Sequence, residues 1–312
     1  MSSAVFTNPP INRALLLKNI TCPYCGLELA EGNDTKEHVI GRKFVPKGSL
    51  DGQWNLIVRA CGTCNEAKSY LENDISAISL AGRLWFGSDD GEKPVLDEAQ
   101  RKARNSFSRK TGKPVIQSQE NLNFQFQFAP GATLGFNLVS PPQLDNDRVF
   151  ELARMQLMAF FYLVTFNSEA QKGGFWLGGY HPLSTTHHRD WGNSLHRDFM
   201  NTVVAWEPRW IGCTANGFFK SIIRRHPHET CWSWALEWNR NYRIIGFFGE
   251  REPAQAIVDT FAWPEMRNMQ NGRDCSWRIR EEVPLSEEDD LLFFYDGGNN
   301  RSDELAENSY GQ

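Results

Sequence analysis

The sequence lacks any long hydrophobic run. Although 40% of its 312 residues are hydrophobic, it contains no stretch of about 18 apolar residues that would predict a transmembrane helix. No basic segment precedes the short apolar stretch near the N-terminus, so the start of the chain is not typical of a secretory signal peptide. We therefore expect a cytoplasmic protein, long enough for two domains and without a membrane partner.

The chain also lacks the glycine-rich loops that bind nucleotide phosphates. Neither the P-loop pattern nor GxGxxG occurs, and the stretch GGFWLGGY at 173–180 is interpreted as a loop with a crowded backbone. The sequence therefore gives no indication of an ATP-dependent or dinucleotide-dependent enzyme.

Cysteines are few and odd in number, which argues against a disulfide framework. There are seven, and four of them form two CxxC pairs, TCPYCG and ACGTCN. In a reducing compartment this spacing predicts metal binding. Two such pairs complete a tetrahedral zinc site, so we predict a structural zinc ion at Cys22, Cys25, Cys61 and Cys64. All four coordination positions would be filled, which leaves none for a substrate.

Charge is unevenly distributed along the chain. The formal net charge is −5, but ten acidic residues against one arginine lie in 281–312, so the first 280 residues are mildly basic. The densest basic run is RKARNSFSRKTGKP at 101–114, which either contacts phosphates or is a solvated helix or linker face. Its candidate DNA contacts are Arg101, Lys102, Arg104, Arg109 and Lys110.

The patterns predict an α+β protein in four zones. They are an N-terminal module at 1–80, a basic linker or bridging helix at 81–118, a larger domain at 119–295 and an acidic tail at 296–312. In the N-terminal module, Ala67, Leu71, Ile75 and Ile78 share one face of a predicted helix.

The larger domain is predicted to have a mainly antiparallel sheet. Period-two alternation at 121–128 and the following TLGFNLV predict a hairpin with one buried face. A core helix is expected over 145–166, capped by Asp145 or Asn146. Strands at 231–238 and 242–248 should pair across the turn NRN. Nine of the eleven tryptophans lie beyond residue 170, where they either fill a core or stack on a base.

Between the CxxC pairs lies TKEHVIGRKFVP at 35–46, followed by Asn55 and, directly after Cys64, Asn65. An acid beside a histidine places an oxygen ligand next to a titratable base. Together with the cysteines and Lys68, this order resembles the HNH endonucleases of the ββα-metal class, in the variety with a four-cysteine zinc site. The resemblance covers about residues 18–80.

The resemblance implies a role for each matching residue. His38 would take a proton from the attacking water, and Glu37 and Asn65 would bind Mg²⁺ or Mn²⁺ at the scissile phosphate. Asn55 would hold the loop that orients His38. The module would consist of strands at about 35–40 and 55–60 and a helix starting near Asn65. Arg42, Lys43, Arg59 and Lys68 are further candidates for DNA phosphate contacts.

Two positions depart from the commonest form of the family pattern. Glu37 stands where the acid is usually Asp, which could alter metal preference, and Gly41 stands where Pro is frequent.

The resemblance implies an enzyme that hydrolyses DNA phosphodiester bonds to 5′-phosphate and 3′-hydroxyl ends. The larger domain would set specificity or activation, as in restriction or antiphage-defence nucleases, and a homodimer would serve double-strand cleavage. The alternative is a zinc-stabilised nucleic-acid-binding protein without catalysis, in which His38 is a core histidine, Glu37 a surface acid and Asn65 a helix cap. Whether His226, His228, Cys213 and Cys231 bind a second metal stays open.

Overall fold

The computed structural model describes residues 12–86, 93–271 and 275–294. Within these ranges the α-helices are α1 (Gly62–Phe86), α2 (Lys93–Asn105), α3 (Asn146–Val164), α4 (Ser194–Val203) and α5 (Arg251–Val258). The strands are β1 (Leu15–Leu16), β2 (Asp34–His38), β3 (Leu56–Cys61), β4 (Glu120–Ala129), β5 (Ala132–Ser140), β6 (Gly179–His187), β7 (Glu207–Thr214), β8 (Phe219–Arg225), β9 (Cys231–Trp238), β10 (Tyr242–Gly249), β11 (Arg267–Asn271) and β12 (Cys275–Ile279). No helix in the described part of the chain could cross a membrane, because none is both long and apolar enough. The acidic tail predicted at 296–312 lies outside the described residues.

The largest sheet has five antiparallel strands in the order β6-β10-β9-β8-β7. Its central strands are apolar on both faces. Trp234, Leu236 and Trp238 face one core, whereas Ala235 between them faces another, as expected from the period of two in a strand. A sheet of this kind needs a covering layer on each side.

Different helices cover the two faces. On one, α3 stacks Phe160 on Trp210 with ring centroids 4.9 Å apart. On the other, α4 and α5 contribute Phe199 and Ala254 to the second core. The start of α3 confirms the predicted cap, because the Asp145 side chain accepts a hydrogen bond from the backbone N–H of Asp147.

The predicted pairing of 231–238 with 242–248 is confirmed. Trp238 lies opposite Tyr242, and the NRN turn places Asn239 and Arg240 at φ of 55° and 51°. Asparagine tolerates this left-handed region better than most residues do. The segment 173–180 was predicted to be a loop. Its last two residues are instead part of a strand, because β6 begins at Gly179.

The cysteine region, residues 12–86, contains the elements β1, β2, β3 and α1. Strand β3 is central: it pairs parallel with β1 and antiparallel with β2, and it leads directly into α1. The predicted order of two antiparallel strands and a helix is therefore present, although the helix begins at Gly62, three residues before Asn65. The structure buries Leu71, Ile75 and Ile78 as predicted, but Ala67 is exposed and Lys68 is buried in its place.

The cysteine region packs directly against the sheet region, which comprises residues 146–258. The Trp54 indole N–H donates to the Cys213 carbonyl over 2.6 Å, and the Thr214 hydroxyl donates to the Trp54 carbonyl over 2.6 Å. The Asn239 amide donates to the Ser79 hydroxyl over 2.7 Å. One apolar cluster includes residues from both regions, so a core is shared across the predicted domain boundary.

Within the segment predicted at 81–118 as a basic linker or bridging helix, residues 93–105 form α2. Helix α1 runs through residue 80, and α2 packs against it with Val95 and Ala99 buried. The amphipathic pattern of α2 explains this, since its apolar residues recur at intervals of four.

The predicted hairpin is present, because β4 and β5 pair antiparallel with Phe124 opposite Phe136. The expected buried face is not found on β5, however, because Leu134, Phe136 and Val139 are all exposed. The pair forms a separate two-stranded sheet, and no third layer covers β5 within the described residues.

Candidate metal and catalytic centre

Four cysteines converge at the junction of β3 and α1. Their sulfur atoms all lie within 4.8 Å of one another, and the Sγ atoms of Cys25 and Cys61 are 3.7 Å apart. A tetrahedral zinc site with Zn–S bonds of about 2.3 Å has sulfur–sulfur edges of roughly 3.8 Å. The cluster Cys22, Cys25, Cys61 and Cys64 could therefore bind a metal ion such as zinc.

Burial and mutual repulsion make this cluster unfavourable as free thiolates. Burial raises the pKa of the Cys22 thiol to about 11, and burial also raises the pKa of Cys64. A bound divalent cation would offset that cost, since metal binding deprotonates its thiol ligands. The chemistry of the donor set thus fits a thiolate-binding metal.

The first cysteine knuckle is supported by residues that sequence reasoning missed. The buried Asn19 amide donates to the carbonyls of Thr21 and Arg59 over 2.8 and 2.7 Å, and its oxygen accepts from the Arg59 N–H over 2.9 Å. The Tyr162 hydroxyl lies 2.7 Å from the Thr21 hydroxyl and connects α3 to the same knuckle. An asparagine three residues before the first cysteine was the one available signal in the sequence.

A buried ion-pair network lies beside the cysteine cluster. The Lys68 ammonium, on α1, is 2.8 Å from the Glu37 carboxylate and 2.6 Å from that of Glu72. It also donates to the His38 carbonyl over 3.2 Å. Lys68 is 1% exposed and Glu37 is 6% exposed. Either side chain would therefore have to rearrange before it could contact a ligand in solvent.

The two acids balance the buried lysine. Burial disfavours the ammonium of Lys68, yet the charges of Glu72 and Glu37 more than offset this and raise its pKa. Burial raises the pKa of Glu37, with the charge of Lys68 acting in the opposite direction. Such a network is costly to break, because removal of one partner leaves an uncompensated buried charge.

The structure gives the two candidate metal ligands different partners. Glu37 pairs with Lys68, whereas the Asn65 amide donates to the Thr35 hydroxyl over 2.9 Å. Thr35 and Glu37 are two residues apart on β2, and their partners Asn65 and Lys68 both lie on α1. The side chains therefore lie along one strand–helix interface, but their contacts do not form a shared metal site.

His38 is the last residue of β2 and is half-buried. Burial lowers the pKa of its imidazole, and the positive charges of Arg42 and Lys36 lower it further. A lowered pKa favours the neutral ring, which is the state that a general base requires.

Asn55 makes the loop-holding contacts that were expected of it. Its amide donates to the Ile40 carbonyl over 2.8 Å, and its oxygen accepts from the Ile40 N–H over 3.3 Å. These bonds fix the backbone two residues after His38.

The glycine at position 41 has a physical explanation here. Its N–H donates to the Glu72 carboxylate over 3.3 Å, and a Cβ at this position would collide with that carboxylate. Proline at position 41 would have no N–H to donate, and its ring would collide with the Glu72 carboxylate. Glycine at this position therefore accompanies the Glu72–Lys68 ion pair.

Two of the predicted DNA contacts require correction. Lys68 is occupied by Glu37 and Glu72, and the Lys102 ammonium is buried while donating to the carbonyls of Lys43 and Val45. Both ammonium groups are buried and bonded to partners within the protein. Sequence alone could not reveal this, since both lysines lie in polar stretches.

The other predicted contacts are at the surface. Arg59 is partly exposed and is ion-paired with Asp34. Arg101 is exposed and is ion-paired with Glu98. The remaining side chains, also exposed, are Arg42, Lys43, Arg104, Arg109 and Lys110.

No second cysteine–histidine metal cluster assembles among the described residues. Cys213 is exposed on β7 and Cys231 is buried on β9. The His226 Nδ1 accepts from the backbone N–H groups of His228 and Glu229, which explains the HPH sequence as a turn.

Comparisons with known proteins add no identification. No protein-family model matches this chain, and comparisons with curated proteins and with solved structures find no significant match.

Proposed function

We propose that this protein is a metal-dependent endonuclease of the HNH, ββα-metal type that hydrolyses DNA phosphodiester bonds. The observation that carries the proposal is the placement of His38 at the end of β2, where Lys68 donates to its carbonyl and Asn55 bonds to the backbone of Ile40, two residues later. Restriction or antiphage defence is the proposed setting, with the sheet region controlling specificity or activation.

In this proposal the cysteine cluster binds one structural zinc ion. The zinc fixes the end of β3 against the start of α1, because Cys61 ends the strand and Cys64 lies in the first helical turn. Asn65 directly follows Cys64, so its position then depends on the bound metal.

In the proposed reaction, His38, Asn55, Glu37 and Asn65 have different roles. The His38 imidazole accepts the proton of the attacking water, and Asn55 keeps its backbone in place. Glu37 and the Asn65 oxygen are the proposed ligands of Mg²⁺ or Mn²⁺, and the chemistry that such a cation supplies is stabilisation of charge on the leaving oxygen. Binding at Glu37 would require its ion pair with Lys68 to open.

That ion pair also favours a second candidate function. If Glu37 serves only to balance Lys68, the protein is a zinc-stabilised DNA-binding protein without catalysis. The two candidates differ in His38, which binding alone does not require.

The test is a substrate panel with the purified full-length protein. Supercoiled plasmid, linear duplex, single-stranded DNA and RNA are incubated with Mg²⁺ or Mn²⁺, beside the His38→Ala variant. We expect DNA cleavage with 5′-phosphate ends, and a loss of about 10²- to 10⁴-fold in the variant.

Modified phage DNA belongs in the same panel, since a modification requirement would hide activity on plain plasmid. Binding without cleavage of any of these substrates would favour the second candidate. Equal cleavage by the wild type and the His38→Ala variant would reject the role of His38.

A further inference from the structure

A surface groove follows the exposed side of α1. It encloses about 450 Å³ and is lined by Gly62, Asn65, Glu66, Ser69, Tyr70, Asn73 and Arg109. Asn65, a proposed ligand of the catalytic cation, lies near one end of the groove, and Arg109, whose backbone N–H bonds to Asp74, lies near the other.

The floor of the groove is a row of small polar side chains. Asn65, Ser69 and Asn73 are spaced four residues apart, so they lie on one face of the helix. Amide and hydroxyl groups of this kind make many of the phosphate and sugar contacts in protein–DNA complexes. Glu66 is the acid among the lining residues, and its side chain is exposed.

Two guanidinium groups are held at the far end by one aromatic ring. The Cζ atoms of Arg109 and Arg148 lie 4.4 and 4.9 Å from the ring centroid of Tyr70, which is half exposed. Tyr70 thus gathers two positive charges from different segments beside the groove.

Asp74 fixes both arginines in position. It accepts from the Arg148 guanidinium over 2.7 Å and from the backbone N–H of Arg109 over 2.9 Å. The buried Asp74 carboxylate is neutralised by Arg148, whereas the Arg109 contact uses only its backbone and leaves the guanidinium directed by Tyr70.

We propose that this groove binds the phosphodiester backbone of a DNA strand, with Arg109 as the phosphate anchor and Tyr70 as the residue that positions it. The inference rests on the proposed function, because DNA is the substrate named there. From Gly62 to Asn73 the helix extends about 16 Å, which corresponds to roughly five nucleotides along one strand of B-DNA. A strand in the groove would reach Asn65 with its scissile region.

The experiment measures binding and not cleavage. Fluorescence anisotropy with a labelled DNA duplex, a labelled DNA single strand and a labelled RNA of the same sequence is recorded on the full-length His38→Ala protein, at several salt concentrations. Adding Arg109→Ala should weaken binding about tenfold and lower the slope of log K against log salt by about one.

Matched variants distinguish DNA binding in the groove from a general effect of positive surface charge. Arg197→Ala removes the same charge from the exposed surface of α4, across the sheet, and should leave the affinity unchanged. Tyr70→Phe retains the ring and should bind normally, whereas Tyr70→Ala should weaken binding in the same direction as Arg109→Ala. Circular dichroism melting checks that each variant is folded.

The outcomes separate the two proposals. Equal weakening by Arg109→Ala and Arg197→Ala, or no DNA binding by the parent protein, would overturn the groove assignment even if the wild type cleaves DNA. Tighter binding of RNA than of DNA would also overturn it. An Arg109-dependent affinity in a protein that never cleaves would support the groove and reject the nuclease.

Discussion

The cysteine region and the sheet region are stabilised in different ways. In the cysteine region, short polar contacts position each segment: Asn19 and Asn55 bond to backbone groups, and Lys68 joins two acids. In the sheet region, large aromatic side chains fill both cores, among them the fully buried Trp210, Trp234 and Trp238. The tryptophans at these positions fill a core, which is one of the two interpretations that the sequence allowed.

The difference matters for function. Polar contacts and a thiolate cluster give the cysteine region groups that can hold a metal or move a proton. The buried aromatic layers give the sheet region rigidity, and the described part of that region contains no cysteine–histidine–carboxylate metal cluster. The groups that could bind a metal are therefore separated along the chain from the aromatic layers, but the two regions share one core.

Loss of the thiolate cluster should give the largest effect. Cys22→Ser is expected to abolish tight zinc binding and unfold the cysteine region, because structural zinc supplies much of the folding free energy of small metal-bound modules. Elemental analysis should find about one zinc per wild-type chain and far less in the variant.

The matched control for that change is Cys213→Ser, an exposed cysteine on β7. It should retain zinc and thermal stability. Equal zinc content in wild type and Cys22→Ser would show that the cluster does not hold the metal.

Trp54→Ala should break the contact between the two regions. Trp54 is 2% exposed, packs edge-on against Trp210 and donates to Cys213. Its loss should lower the free energy of unfolding by about 3 to 5 kcal/mol, measured by urea denaturation. Trp263→Ala, at an exposed position, should change it by less than about 0.5 kcal/mol; similar losses for both would contradict a shared core.

A smaller effect should come from a histidine in the second core. Burial lowers the pKa of His196 to about 3, whereas an unfolded histidine has a pKa of about 6.5. Between these values the unfolded chain binds the extra proton, so stability falls as the pH falls below about 6.5. From pH 7.5 to 5.0 the expected loss from this residue is about 2 kcal/mol.

The measurement compares urea unfolding of the wild type and His196→Phe at both pH values. The variant should lose less stability on acidification than the wild type does. An identical pH dependence for the two proteins would mean that His196 is not buried in its neutral form.

The sequence predicted elements whose signal is local. The CxxC spacing predicted the cysteine cluster, Asp145 predicted the start of α3, and NRN predicted a turn. Each depends on residues close together in the chain. The catalytic roles of His38, Glu37 and Asn65 stay predictions.

Contacts that depend on tertiary packing could not be predicted. The periodicity placed Ala67 on the buried face of α1, but Lys68 is buried instead because Glu37 and Glu72 supply its counter-charges from β2 and the next helical turn. Lys102 is likewise buried because the carbonyl groups of Lys43 and Val45, distant in sequence, accept hydrogen bonds from its ammonium. The exposed β5 shows the reverse case, in which an apolar pattern did not give a buried face.

The most direct test of the account is the single-turnover cleavage rate of His38→Ala against that of His228→Ala. His228 is an exposed histidine in the sheet region, so its removal is the same chemical change outside the proposed centre. The account predicts that His38→Ala cleaves DNA about 10²- to 10⁴-fold more slowly than the wild type, while His228→Ala cleaves at the wild-type rate. Equal rates for the two variants would contradict the claim that the cysteine region carries the chemistry.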